Sequence, residues 1–169
     1  MTIGPSIIRP ASSVDPKPIS TDPLVWLASV LTSFADAEQA LGRLSVALGY
    51  RIEHGSLGNL QSVRDILSSS DDRRLRNFER RIARWLGNRP IRNLLAHATV
   101  KQVFDTSGQP FIVTRHLPRD SADVTPDRVW SENECEAFLR DVRKDSQSIR
   151  HHVSNLFANP ARLSALKAK

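Results

Sequence analysis

Cysteine is nearly absent from this chain: Cys135 stands alone among 169 residues. A single thiol excludes an internal disulfide and a cysteine-built zinc site, and it fits a reducing compartment. Long apolar runs are missing as well, and no stretch approaches the roughly 20 residues that a membrane-spanning helix needs. The opening MTIGPSIIRP has no charged segment leading into an apolar one, so it does not read as a secretory leader. A cytoplasmic protein with no membrane partner is the expectation. There is no internal repeat and no phosphate-cradling glycine loop; Gly55-Ser56-Leu57-Gly58 is too short and too late for one. No cofactor is expected.

Positive charge is abundant. Lysine and arginine total 24 against 18 acidic residues, a formal net charge of +6, and most of the cations are arginine. Such a balance favours a nucleic-acid or phosphate partner, although an arginine-favouring genome would write the same excess. The length suits one compact domain with a real core.

Periodicity divides the chain. Residues 1–21 carry scattered prolines among Ser, Thr and Asp and read as a flexible, proline-rich arm. Asp22-Pro23 looks like an N-cap followed by proline at the first helical position. A long amphipathic helix then places Leu27, Leu31, Phe34, Leu41, Leu44 and Leu48 on one side, until Gly49 or the 55–58 stretch stops it. NLQSVRDILS, at 59–68, predicts a shorter helix. A third, from about Asp71 to Leu86, turns Leu75, Phe78, Ile82, Trp85 and Leu86 inward, and a fourth begins near Arg89-Pro90. The period changes afterwards: VKQVF and FIVTRHL flank DTSGQP, which predicts a hairpin that must lean on the helices. Ser131 to Glu134 fits a capping box, and the helix behind it carries Phe138, Leu139, Val142, Ile149, Val153 and Leu156 until Asn159-Pro160 ends it. The predicted fold is all-α: an up-and-down bundle of about five helices over 22–158, a small β-hairpin before the C-terminal helix, and a short tail at 159–169.

Arg73, Arg76, Arg80 and Arg84 recur at steps of three, four and four and so line one face of the third helix, nearly opposite its apolar row. Arg74 and Arg81 flank them. The row reads either as a track for RNA phosphates, continued by Arg89, or as the solvated back of an amphipathic helix whose charge Glu79 partly offsets. No aromatic residues interleave with these arginines to stack on bases.

NRPIRNLLAHATV, residues 88–100, sets Arg92, Asn93 and His97 around an apolar run. A titratable or charged group there is expensive unless it is paired. Asn93 and His97 share a helix face, whereas Arg92 and His97 diverge by about 140°. Two copies packed about a two-fold axis would bring both pairs into one cleft. Histidine exchanges protons near neutral pH, arginine clamps phosphate, and asparagine orients either. Together they suit phosphoester cleavage without a metal: a base activates a ribose 2′-hydroxyl while fixed positive charge steadies the crowded phosphorus. The alternative is structural, with a core histidine bonded to a carbonyl and an arginine paired to a carboxylate.

RNLLAH, Arg92 to His97, resembles the R-x4-6-H motif of the HEPN superfamily, in which a polar residue, commonly Asn, follows the arginine; Asn93 fills that place. The likeness extends in architecture over about residues 22–157. It implies a dimeric all-α bundle whose two motifs face each other, and a metal-independent endoribonuclease of the kind found as toxins or in phage defence. By that likeness His97 is the general acid–base, Arg92 the phosphate clamp and Asn93 the helper. Other members only bind RNA, nucleotides or proteins, so a catalytically inactive binding or regulatory module is the alternative. One toxin subgroup, paired with a nucleotidyltransferase antitoxin, has tyrosine two places after the histidine; here it is Thr99. RNA, a second copy of the chain, and an antitoxin or regulatory protein are the partners implied. An acidic residue from an earlier helix often supports the family site, and Glu38, Glu53 and Asp65 all qualify.

The remaining residues read as structural. His151 and His152 are adjacent on a helix and point about 100° apart, a poor metal pair. His54 and His116 lie at a helix-end segment and in a strand, and no metal is expected. Ser131 suits capping, Trp26, Trp85 and Trp130 suit packing, and Cys135 suits inert core.

Overall fold

The computed structural model describes residues 22–51, 59–116 and 127–167. The proline-rich arm, Glu53, His54 and the 55–58 stretch lie outside the described residues. Six helices and three strands follow in order: α1 (Pro23–Ala47), α2 (Leu60–Ser68), α3 (Arg73–Gly87), α4 (Arg89–His97), β1 (Ala98–Phe104), β2 (Pro110–His116), β3 (Arg128–Ser131), α5 (Glu132–Phe157) and α6 (Pro160–Lys167). The chain is a helical bundle with a small antiparallel sheet placed before its last helices, as the periodicity predicts.

Local chemistry sets the boundaries. The Asp22 carboxylate accepts from the N–H groups of Leu24 and Val25, and Pro23 occupies the first helical position. Asp72 caps α3 through Arg74 N at 2.7 Å. Ser131 and Glu134 form the reciprocal capping box that starts α5. Asn159 does two jobs. It follows the end of α5, and its side chain accepts from Arg162 N at 3.1 Å, which with Pro160 starts α6 and buries Leu166. The segment expected as a plain tail is therefore helical.

The long helices α1 and α5 pack along each other, α3 lies against α5, and α4 rests on α1. In α1 the buried row is Trp26, Val30, Phe34, Ala37, Leu41 and Leu44, while Leu27, Leu31 and Leu48 are only partly covered. Phe34, Leu41 and Leu44 are thus buried as expected, while in the first turns the core face shifts by one residue to Trp26 and Val30, because Trp26 offers more apolar area than Leu27. Leu75, Phe78, Ile82 and Trp85 of α3 are buried as expected. Trp26 meets Trp130 edge-on at 5.3 Å and donates from its indole nitrogen to the Cys135 carbonyl at 2.9 Å, pinning the head of α5 to α1.

The sheet has the order β1-β2-β3, with Ala98 opposite His116, Phe104 opposite Pro110, and Ile112 opposite Trp130. A third strand thus joins the expected hairpin and supports it. The turn between β1 and β2 is held by the Asp105 carboxylate, which accepts from the backbone N–H groups of Ser107 and Gln109, and by Gly108 at φ +82°. Ile112 and Thr114 point into the bundle, where the Trp130 indole donates to the Thr114 hydroxyl at 3.1 Å.

Candidate functional site: the short helix and its supporting carboxylate

The helix that carries the motif is only nine residues long. Asn88 precedes it without a side-chain cap, Pro90 lies in its first turn, and the chain turns extended at Ala98, directly after His97. Leu95 alone is fully buried and anchors the helix to the core. Replacing that side chain by alanine would cost about 2–5 kcal/mol. Asn93, Ala96 and His97 are exposed, and Arg92 lies half-buried on the flank between that outer face and Leu95. The imidazole is therefore not a core histidine. It stands at solvent, where the helix hands over to β1.

Arg92 is held from two sides. One terminal nitrogen donates to Glu38 of α1 at 3.3 Å, and the other donates to Asn93 Oδ1 at 3.3 Å. Its Nε is buried and has no hydrogen-bond partner among the described residues. The guanidinium keeps 31% of its side-chain surface exposed and Glu38 keeps 18%, so the pair faces outward rather than being sealed. Among the three acidic residues that the sequence left open, Glu38 is the one that meets Arg92. Asp65 instead accepts from Gln61 on its own helix at 2.8 Å, and Glu53 lies outside the described residues. Arg92 and His97 remain divergent on one short helix, as five-residue spacing requires.

The arginine row of α3 is less uniform than its spacing. Arg73 and Arg80 are exposed. Arg76 donates to the Ser70 carbonyl at 2.8 Å. Arg84 reaches across to α5 and, together with Arg81, binds Asp145, whose side chain is 1% exposed. That hydrogen bond, offset by burial and helped by the Asp145 and Asp141 charges, raises the Arg84 guanidinium above its already high ordinary value. Glu79 is drawn off to Arg64 of α2 at 2.7 Å. The predicted row is therefore partly structural: Arg84 fastens α3 to α5, and Arg76 fastens the start of α3. Arg89 is half-buried with its Nε unpartnered among the described residues, so it belongs to the base of α4 more than to an exposed track.

Asp145 has no counterpart in the sequence reading. It sits on the apolar stride of α5 between Val142 and Ile149 and is buried with Ser146. A charge on a core-facing stripe demands a partner, and the excess arginines of α3 supply two.

His151 and His152 diverge as expected. His151 contacts Asn155 through Nε2 at 2.9 Å, while His152 stacks on Phe78 at 4.9 Å. Among the described residues no three His, Cys, Asp or Glu side chains gather in a metal-holding cluster, and no helix is long and apolar enough to cross a membrane. Cys135 is buried, and burial beside Glu134 and Glu132 pushes its thiol up to about 12.

No family model matches the chain, and neither curated proteins nor solved structures yield a match.

Proposed function

We propose that the chain is a HEPN-like, metal-independent endoribonuclease whose active cleft forms between two copies of α4. The observation that carries this reading is the arrangement around Arg92. A guanidinium is steadied by Glu38 from one side and Asn93 from the other, yet a third of its side chain stays open to solvent, and His97 stands exposed on the same helix. Both groups can be reached from solvent, as a cleft at this face requires.

In the proposed reaction His97 of one copy removes the proton of a ribose 2′-hydroxyl. The resulting oxygen attacks the adjacent phosphorus, and the bond to the 5′-oxygen breaks as that oxygen takes up a proton. The products are a 2′,3′-cyclic phosphate and a 5′-hydroxyl, with Arg92 countering the charge that builds on the equatorial oxygens. Because the two groups diverge on one helix, each cleft takes its histidine and its arginine from different copies. Asn93 is the helper, holding Arg92 of its own helix in place.

The reading is tested with purified protein and mixed-sequence RNA in EDTA. Cleavage that leaves cyclic phosphate ends and is abolished in both His97→Ala and Arg92→Ala supports it. So does restored cleavage when those two variants are mixed, since a composite cleft would pair one intact histidine with one intact arginine. Intact RNA in every condition, with a folded dimer, points instead to a binding or regulatory module built on the same face.

A further inference from the structure

A second anion-seeking feature lies away from α4, where α3 faces α5. Arg74, Asn77, Arg80, Arg81 and Arg84 of α3 and His152 of α5 line a cavity of about 390 Å³. A single carboxylate, Asp145, answers Arg81 and Arg84 from beneath. Arg74 and Arg80 make no ion pair among the described residues. The lining therefore holds a clear positive excess along an open groove whose arginines are reachable from solvent. The α3 row does not continue as an even track, because Arg76 is tied back to Ser70.

This cavity adjoins a second of about 580 Å³ with a different character, and the two share Arg74 and His152. Asn155 contacts His151 through Nδ2 and Asn159 caps Arg162 N through Oδ1, which leaves one amide oxygen and one amide nitrogen facing this space; Leu156 supplies apolar surface, and Arg162 is already paired with Asp72. Positive charge is thus concentrated at one end and neutral hydrogen-bonding surface at the other. His152 stands between them, its ring stacked on the buried Phe78 with 19° between the planes.

We propose that this groove binds a nucleoside polyphosphate, with the phosphates among Arg74, Arg80, Arg81 and Arg84 and the base in the neighbouring cavity between His152 and the Asn155 and Asn159 amides. The chemistry of the two ends matches the two ends of such a ligand: guanidiniums clamp phosphate oxygens, and amides read a base edge. The site is separate from the α4 cleft and does not depend on that cleft being a nuclease.

A proton accompanies binding. Burial, then the charges of His151 and Arg81, hold the His152 imidazole below its ordinary 6.5. The groups around it are Arg74, Phe78 and Arg81 of α3, His151 and Asn155 of α5, and Arg162 of α6. The two carboxylates nearby are already matched, Asp145 by Arg81 and Arg84 and Asp72 by Arg162, so a docked phosphate adds negative charge beside the ring and draws a proton onto it.

The test is calorimetry on the full chain with ATP, inorganic tripolyphosphate and a single-stranded RNA 12-mer, at pH 6 and pH 7.5. ATP is expected to bind at least tenfold tighter than tripolyphosphate, and more tightly at pH 6 than at pH 7.5. The double variant Arg74→Ala/Arg80→Ala, whose side chains make no ion pair among the described residues, should weaken ATP at least tenfold while its thermal melt stays unchanged. His152→Phe keeps the stack on Phe78 and should remove the pH dependence. Three results overturn the proposal: no ATP binding, tripolyphosphate binding as tightly as ATP, or only the 12-mer responding to the arginine variants, which would make the groove an RNA track. Because every arm reads binding rather than cleavage, failure here leaves the α4 test untouched.

Discussion

Glu38 and Arg92 lie 54 residues apart in sequence and meet at 3.3 Å, joining the middle of α1 to the motif helix. The pair is partly open to water, so its contribution to folding should be small, under about 1 kcal/mol. Its larger effect is to fix where the guanidinium points. Glu38→Gln should leave the melting temperature nearly unchanged while lowering kcat for RNA cleavage by roughly 10- to 100-fold, because a clamp displaced by an ångström loses most of its advantage. KM should move less than kcat, and Glu38→Asp should restore part of the rate. Equal rates in wild type and Glu38→Gln would remove Glu38 from the site.

The ion-paired triad of α3 and α5 gives an asymmetric prediction. Asp145 is 1% exposed, whereas Arg81 and Arg84 keep 27% and 56% of their side chains in solvent. Removing the carboxylate leaves two cations that water can still reach. Removing both cations leaves a buried charge with no counterpart. The double variant Arg81→Ala/Arg84→Ala should therefore lose about 3–5 kcal/mol, and Asp145→Ala distinctly less. Urea denaturation monitored by tryptophan fluorescence measures both, and the reverse order would show that burial of the carboxylate is not what makes the triad costly to break.

Much of this architecture was legible because its signals are local. Leu75, Phe78, Ile82 and Trp85 repeat at helical spacing, and the Ser131–Glu134 box marks the start of α5 within four residues. What was missed depends on partners far along the chain, or on a signal with two meanings. Asn159-Pro160 reads as a stop for α5, yet the same pair is an N-cap and first-turn proline for α6. Four-residue β3 is too short to show a period; it is a strand because β2 offers an open edge and Trp130 has a place beneath it. Spacing placed Arg84 on a solvated row, but only the fold brings Asp145 to it, 61 residues away. Within the candidate site, the spacing of Arg92, Asn93 and His97 was readable, while the choice of Glu38 over Asp65 required knowing that α4 rests on α1.

Cys135 offers a check on the head of α5. Burial raises its thiol to about 12, so almost none is thiolate at ordinary pH, and its backbone carbonyl is held by the Trp26 indole. Native protein should resist iodoacetamide at pH 8 for hours and react within minutes in urea, followed by intact mass. Trp26→Phe keeps most of the apolar volume but drops that hydrogen bond, and should speed alkylation of the native protein. Rapid labelling of wild type would show that the α1–α5 junction opens far more readily than its packing indicates.

His152 makes stability depend on pH in a window that its own shift defines. In the folded chain its value lies below 6.5, chiefly through burial, so between that depressed value and 6.5 the unfolded state binds more protons than the folded one. Stability should be fully present above about pH 6.5 and should fall as the solution is acidified through this window. His152→Phe preserves the ring against Phe78 but cannot titrate, so its stability should decline less between pH 7 and pH 5 than that of wild type. Because the charge of His151 acts on His152, His151→Asn is carried in both proteins, and the difference between the two urea midpoints, plotted against pH, then isolates the one imidazole. Parallel curves would mean that His152 carries its proton as easily in the folded groove as in water. Saturating ATP should then narrow the gap at low pH if phosphate does draw a proton onto this ring, because the bound form no longer resists the charge.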